Sequence, residues 1–354
     1  VESSFVSALP SFNIVGMANI TILESKERIK SALDYIGFKF PPKKIIINLS
    51  PSEQGKNGSH FDLAIALLIA LQTQRVEANF DNFYVFGELG LDGSLKDSSS
   101  IFPLCLELAQ QENAKNIKIL APIKSCDKLK KIPNIELYGV DNISEGIDFF
   151  SPKNDKTKYM LECENLKSDF INVNNQKYYY DNSYELDFLD VKGQEIAKQG
   201  ALISASGGHN IIFNGSAGSG KSMIAKRLPY IMPPLSLSKI LNIAKLDCIG
   251  GKEPNFKPIA PFISPHHSSS LAGVIGGTKI GEIALCNNGV LFFDELPYFS
   301  KSVLEALREP LQDNIISISR VNNKIKYDTN FVFVGAMNPC PCGNLLSVSK
   351  TCRC

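Results

Sequence analysis

What this sequence lacks is an excess of charge: 37 Lys and Arg stand against 36 Asp and Glu, a formal net charge of +1. That balance excludes a globally basic nucleic-acid binder, so any contact with a phosphate backbone must come from a local patch. Long apolar runs are also missing. None approaches the roughly 20 residues needed to cross a bilayer, and no signal-peptide pattern opens the chain, so a cytoplasmic protein is expected. The nine cysteines in 354 residues do not make a secreted disulfide framework, although four of them crowd into the last fifteen positions. A hydrophobic content of 44% with 21% charged residues excludes global disorder and supplies core for two or three domains. Val1 in place of an initiator Met, and a last residue, Cys354, with no closing helix after it, read as a chain cut at both ends.

The most informative stretch is Gly215-Ser216-Ala217-Gly218-Ser219-Gly220-Lys221-Ser222, which fits the G-x-x-x-x-G-K-[ST] phosphate loop. Asn210 to Asn214 reads as a short buried strand before it. Met223 to Leu228 reads as the following helix, stopped by Pro229. In such a loop the glycines let backbone N–H groups point inward at a polyphosphate, the lysine reaches the β- and γ-phosphates, and the serine holds Mg²⁺. ATP and Mg²⁺ are therefore the expected cofactors. Gly289 to Glu295 (GVLFFDE) is the second motif: four apolar residues make a buried strand that ends in two carboxylates, where ligands of open α/β sheets bind. Asp294 would order the Mg²⁺ and Glu295 would polarise the attacking water. Phe331 to Asn338 is a third apolar strand ending in a polar residue.

Other stretches are less specific. Ile315 to Lys326 reads as a hairpin around Val321-Asn322-Asn323, with Arg320, Lys324 and Lys326 making it locally basic: a DNA contact or an ordinary charged surface. Cys340-Pro341-Cys342 and Cys352-Arg353-Cys354 can offer four thiolates to a tetrahedral Zn²⁺, with free thiols as the alternative. His266 and His267 have no third ligand at a useful spacing, so a structural role is the simpler reading. In the first 150 residues, Lys43–Ser50, Phe83–Leu91, Asn116–Ala121 and Glu136–Val140 read as strands, and Leu23–Ile36, Phe61–Gln72 and Leu104–Gln111 as helices. Glu27, Arg28 and Lys30 read as a solvated face. Residues 151–187 are polar, show no helical or strand period, and read as a linker.

Leu9 to Gly16, Phe40 to Ile45 and Phe86 to Gly93, together with the three motor motifs and Pro265-His266-His267, resemble the magnesium-chelatase-like family of AAA+ ATPases, ComM type. The resemblance covers nearly the whole chain. It implies an α/β protein in which a ribosomal-S5-like, Lon-protease-like α+β domain (1–150) and a linker (151–187) precede a P-loop AAA+ domain (188–354). That domain would carry an insert in its second helix and lack the C-terminal lid. Asp187 to Gln194 would place Val191 and Gly193 near the adenine, and Asn338 would sense the γ-phosphate. The family carries the same four-cysteine pattern. The resemblance further implies a hexameric ring and helicase work on branched or single-stranded DNA in recombination of imported DNA. A metal-insertion motor subunit is the alternative, and a non-catalytic binding module the alternative from another class. The arginine finger would fall beyond Cys354, so weak hydrolysis by this chain is expected. Kinship to Lon raises proteolysis, but Lys56-Asn57-Gly58-Ser59-His60 puts His60 at the nucleophile position and Ser59 one residue early, which removes the required geometry.

Overall fold

The isoleucine run of Lys44–Asn48 has the β-branched content of a strand, and its Ile45 and Ile47 are buried. In the computed structural model this segment is the central strand of a three-stranded sheet, antiparallel to Glu2–Val6 and parallel to Ser11–Val15. The structure describes all residues except 54, 77–78, 81, 112–116, 153, 320–323, 344, 346–350 and 353; of Ser319 and Lys324 it describes the backbone alone. The chain divides into two compact units, Val1–Leu166 and Lys167–Cys354.

In the first unit the helix Asp62–Thr73 is apolar nearly all round and accordingly buried, with Leu63, Ile65, Ala66, Leu67 and Ile69 at 0–2% exposure. A second sheet runs in the order Phe83–Val85, Ile117–Pro122, Ile135–Val140, Met160–Leu161; the first three strands are parallel and the last is antiparallel. The single strand read over 83–91 is in fact two, Phe83–Val85 and Glu88–Leu89, in different sheets. The helix Ile20–Tyr35 begins at Asn19, whose Oδ1 accepts the Ile22 N–H at 3.1 Å.

Arg28 on that helix is not part of a solvated face. Its Nε donates to Asp62 Oδ2 at 2.8 Å and its Nη2 to Oδ1 at 3.3 Å, and Asp62 is fully buried. Burial pushes the Asp62 carboxyl above its ordinary pKa, and the hydrogen bonds from Arg28 pull against it. Arg28→Ala should therefore destabilise this unit by about 3–5 kcal/mol, because it strands a buried carboxylate. An unfolding free energy, from denaturant titration, within about 1 kcal/mol of the parent would contradict this.

His60, at 5% exposure, offers Nδ1 to Ser100 Oγ at 2.9 Å, and burial holds its pKa down to about 4. Above pH 6.5 the ring is neutral folded or unfolded. Between pH 6.5 and 4 the unfolded chain takes up the proton and the folded one resists, so stability falls with acid, by roughly 3 kcal/mol at about 1.4 kcal/mol per unit. Urea unfolding at pH 7.5 and 4.5 checks this, since the pH difference should shrink in His60→Gln. Ser59 Oγ donates to Glu88 and Lys56 Nζ to the Pro51 carbonyl, so serine and lysine are engaged with different partners.

The second unit is built on a four-stranded parallel sheet in the order Ile211–Asn214, Val332–Met337, Val290–Phe293, Phe262–Ile263. Val290, Leu291, Phe292 and Phe293 are all buried, which explains the unbroken apolar run. The two-residue strand Phe262–Ile263 is an addition to the sequence reading. Residues 151–187 are corrected: they hold a turn of 3₁₀ helix (Lys156–Tyr159), the strand Met160–Leu161 and the hairpin Asp169–Val173 with Gln176–Tyr180. The hairpin pairs onward with Leu235–Ser236. Its first strand is exposed along its whole length, and its apolar residues, Phe170, Ile171 and Val173, do not alternate strictly with polar ones, so no period of two marks it in the sequence. Pro229 does not stop the phosphate-loop helix. That helix is Lys221–Ala225, and Pro229 lies in the first turn of the next, Leu228–Ile231, where a missing N–H is no loss. Among the described residues no helix is long and apolar enough to cross a membrane.

Candidate nucleotide site and cysteine cluster

Three of the parallel strands end together, and their carboxyl ends carry the residues singled out from the sequence. Asn214 leads into the 215–222 loop, Phe293 into Asp294 and Glu295, and Met337 into Asn338. The loop is fastened to the neighbouring strand by Gly215 N–H donating to the Met337 carbonyl at 3.3 Å. Gly218 and Gly220 take φ of +75° and +89°, and nothing lies within 4 Å of where a Cβ would stand. The positive φ is what suits glycine at both positions; the space beside them is open.

Lys221 Nζ donates to the carbonyls of Gly215 and Ser216, each at 2.8 Å, and to Asn338 Oδ1 at 3.2 Å. Ser222 Oγ donates to Asp294 Oδ2 at 2.7 Å. Two hard oxygen donors thus meet beside the loop, a donor set that fits Mg²⁺. Glu295 adopts a left-handed backbone, φ +53°, at a cost of about 1–3 kcal/mol for a non-glycine residue. Its N–H donates to Asp294 Oδ1 at 3.0 Å, which ties the two acids into one turn. Lys221, Asp294, Glu295, Tyr298, Asn338 and Cys340 all line one cavity of about 390 Å³.

Val191 and Gly193 line a separate open cleft with Phe188, Leu202 and Ile231. Arg227, which sequence reasoning passed over, anchors this segment. Its Nε donates to the Asp187 carbonyl at 2.6 Å and its Nη2 to Asp190 Oδ2 at 2.8 Å. The hydrogen bond from Arg227 holds the Asp190 carboxyl below its ordinary pKa. An arginine six residues after the phosphate-loop lysine, facing an acidic segment upstream, was the available signal.

His267 Nδ1 lies 3.8 Å from Glu295 Oε2, and His266 Nδ1 contacts Ser268 Oγ at 2.7 Å. Sequence reasoning did not join either to the acids. The hairpin forms as Ile315–Ser319 with Lys324–Asp328, and Lys326 is exposed on it. Arg320 and the tip at 321–323 lie outside the described residues, as does the side chain of Lys324.

The four terminal cysteines converge: all their sulfurs lie within 4.8 Å of one another. Cys340 to Cys342 is 3.5 Å, Cys342 to Cys352 is 3.7 Å and Cys352 to Cys340 is 3.7 Å. A disulfide would need about 2.05 Å. The sulfur edge of a tetrahedral zinc thiolate site is about 3.8 Å, given Zn–S of about 2.3 Å, so the cluster fits zinc. Backbone N–H groups of Cys342 and Leu345 donate to the sulfurs of Cys354 and Cys340 at 3.1 and 3.3 Å, as second-sphere donors to thiolates do. Hydrogen bonding to Cys342 pushes the Cys354 thiol up to about 11.

A parallel sheet with a phosphate loop on one strand, an Asp-Glu pair on the next but one and a polar residue between them defines a P-loop ATPase core of the AAA+ kind. Comparison with known proteins is specific. The family described as "Magnesium chelatase, subunit ChlI" matches residues 187–354, and "Subunit ChlI of Mg-chelatase" matches 1–123. Competence protein ComM of Haemophilus influenzae is 34% identical over 350 residues, 97% of this chain and 66% of that protein. The uncharacterized proteins YifB of Salmonella typhimurium and Escherichia coli are each 34% identical over 358 residues, 99% of this chain and 67% of theirs. The chain belongs to the magnesium-chelatase-like family. It spans about two thirds of the length of these relatives.

Proposed function

We propose that the chain is the ATP-hydrolysing part of a ring motor of the ComM type that acts on DNA. The observation that carries the ATPase reading is the pair of hydrogen bonds at the strand ends, Lys221 to Asn338 and Ser222 to Asp294. Backbone N–H groups of the loop beyond Gly215, whose own N–H is taken by Met337, would hold the phosphates, with Lys221 supplying a positive charge at the γ-phosphate. Mg²⁺, held by Ser222 and by Asp294 through water, would supply charge neutralisation on the phosphates. Asn338 orients whatever Lys221 binds, because the two side chains share a hydrogen bond. Glu295 stands at the rim with a carboxylate able to accept a proton from the attacking water at Oε2. The cleft at Val191 and Gly193 would take the adenine. Cys340, Cys342, Cys352 and Cys354 would hold Zn²⁺, which would supply cross-linking of a short segment of little core.

The DNA reading is supported by the name of the ComM relative, a competence protein, and by the exposed Lys326 on the hairpin. Six hairpins in a hexamer would make a positive ring suited to a phosphate backbone, with Arg320 and Lys324 adding to it. The test is ATP turnover by the full-length protein with and without forked or four-way DNA. Stimulation by DNA supports the proposal. Turnover indifferent to every DNA structure would favour the metal-insertion motor, and no turnover at all would leave a binding module.

A further inference from the structure

We infer that the cysteine cluster, when it holds zinc, sets the position of Asn338, so that zinc and nucleotide bind cooperatively. The inference rests on the nucleotide reading of the 215–222 loop and on the fit of the four sulfurs to zinc.

The connection is short and stiff. Asn338 is the first residue beyond the strand Val332–Met337, and Cys340 is two residues further on. Pro339 and Pro341 flank that cysteine, and each fixes its own φ near −65°, which removes the freest rotations of the tether. Cys340 is also a hub of the cluster, 3.5 Å from Cys342 and 3.7 Å from Cys352, and its sulfur accepts the Leu345 N–H. At the other end of the tether, Asn338 Oδ1 accepts from Lys221, and Cys340 lines the same cavity as Lys221, Asp294 and Glu295. A metal that gathers four thiolates therefore fixes the strand end from which Asn338 faces the phosphates. The cluster contributes little buried surface of its own, with Cys342 and Cys354 exposed. A sulfur cross-link would therefore supply much of what holds the four cysteines together.

Binding linkage makes the effect reciprocal: if zinc raises nucleotide affinity by some factor, nucleotide raises zinc affinity by the same factor. A zinc ion with a purely structural role would leave its own affinity unchanged when nucleotide binds. The full-length protein is prepared zinc-loaded and, under reductant, chelator-stripped. Affinity for a non-hydrolysable ATP analogue is measured by calorimetry on both forms. Affinity for Zn²⁺ alone is measured by competition with a chromophoric chelator, with and without saturating analogue. Both ratios are expected to agree at about fivefold or more, in the usual range for coupled sites. Asn338→Ala should bind zinc as the parent does and lose the coupling. Cys352→Ser with Cys354→Ser should show the metal-free nucleotide affinity.

Four results would overturn the inference, and each points to a different fault. Equal analogue affinities with zinc bound in one form would mean that the sites are independent. Analogue binding without any zinc uptake would remove the metal. Zinc uptake without analogue binding by either form would remove the nucleotide reading itself. Undiminished coupling in Asn338→Ala would also sink it, even if the cysteine variants failed to fold.

Discussion

Lys221→Ala is expected to lower ATP turnover of the full-length protein by about 100-fold or more, the usual loss when one charged donor is removed from a preorganised anion site. Two effects combine. The ammonium that would face the γ-phosphate is lost, and so are the bonds to the Gly215 and Ser216 carbonyls that brace the loop. Asn338 loses its partner at the same time. Nucleotide affinity should fall together with turnover, because the lysine serves ground state and transition state alike. The unfolding midpoint should change little, since Lys221 is half-buried and contributes no apolar core. Turnover at the parental rate would remove the motor reading altogether.

Glu295→Gln should separate binding from chemistry. The amide keeps the size of the side chain, and the turn is held by the backbone N–H of residue 295 to Asp294 Oδ1, which the substitution leaves in place. What disappears is the proton acceptor. Turnover should drop by about 10²–10⁴-fold, the range for loss of a positioned general base. Affinity for ATP should stay close to that of the parent, so that kcat and kcat/KM fall together. Single-turnover measurements with a fluorescent nucleotide check both halves. A variant that loses affinity but keeps its rate would assign Glu295 to binding instead.

Much of this site is legible in the sequence because each part is local. The phosphate loop is eight consecutive residues, the Asp-Glu pair ends an unbroken apolar strand, and Asn338 ends another. What remained hidden depends on partners distant along the chain. Arg28 and Asp62 are 34 positions apart, and nothing near Arg28 marks it as paired. Arg227 reaches back 37 positions to Asp190. Phe262–Ile263 is a strand of two residues, too short to show a period, and exists by virtue of its pairing with Val290 and Leu291. The hairpin at Asp169–Tyr180 escaped for another reason: Phe170, Ile171 and Val173 of its first strand do not alternate with polar residues, and all three are exposed. The convergence of the sulfurs was partly foreseen, since two C-x-C pairs allow it, but spacing alone could not show that all four reach one point.

The order of the motor sheet has a consequence for how the protein is made. Val332–Met337 is the last of its four strands to leave the ribosome, yet it fills the slot between Ile211–Asn214 and Val290–Phe293. Until it arrives, those two strands have no neighbour on their facing sides, and each presents a row of unsatisfied N–H and C=O groups beside apolar side chains. A nascent chain stalled before residue 332 therefore offers two sticky edges to its surroundings, the condition under which partly synthesised domains aggregate. Insertion of the final strand closes both edges in one event, and the same event delivers Asn338 to Lys221.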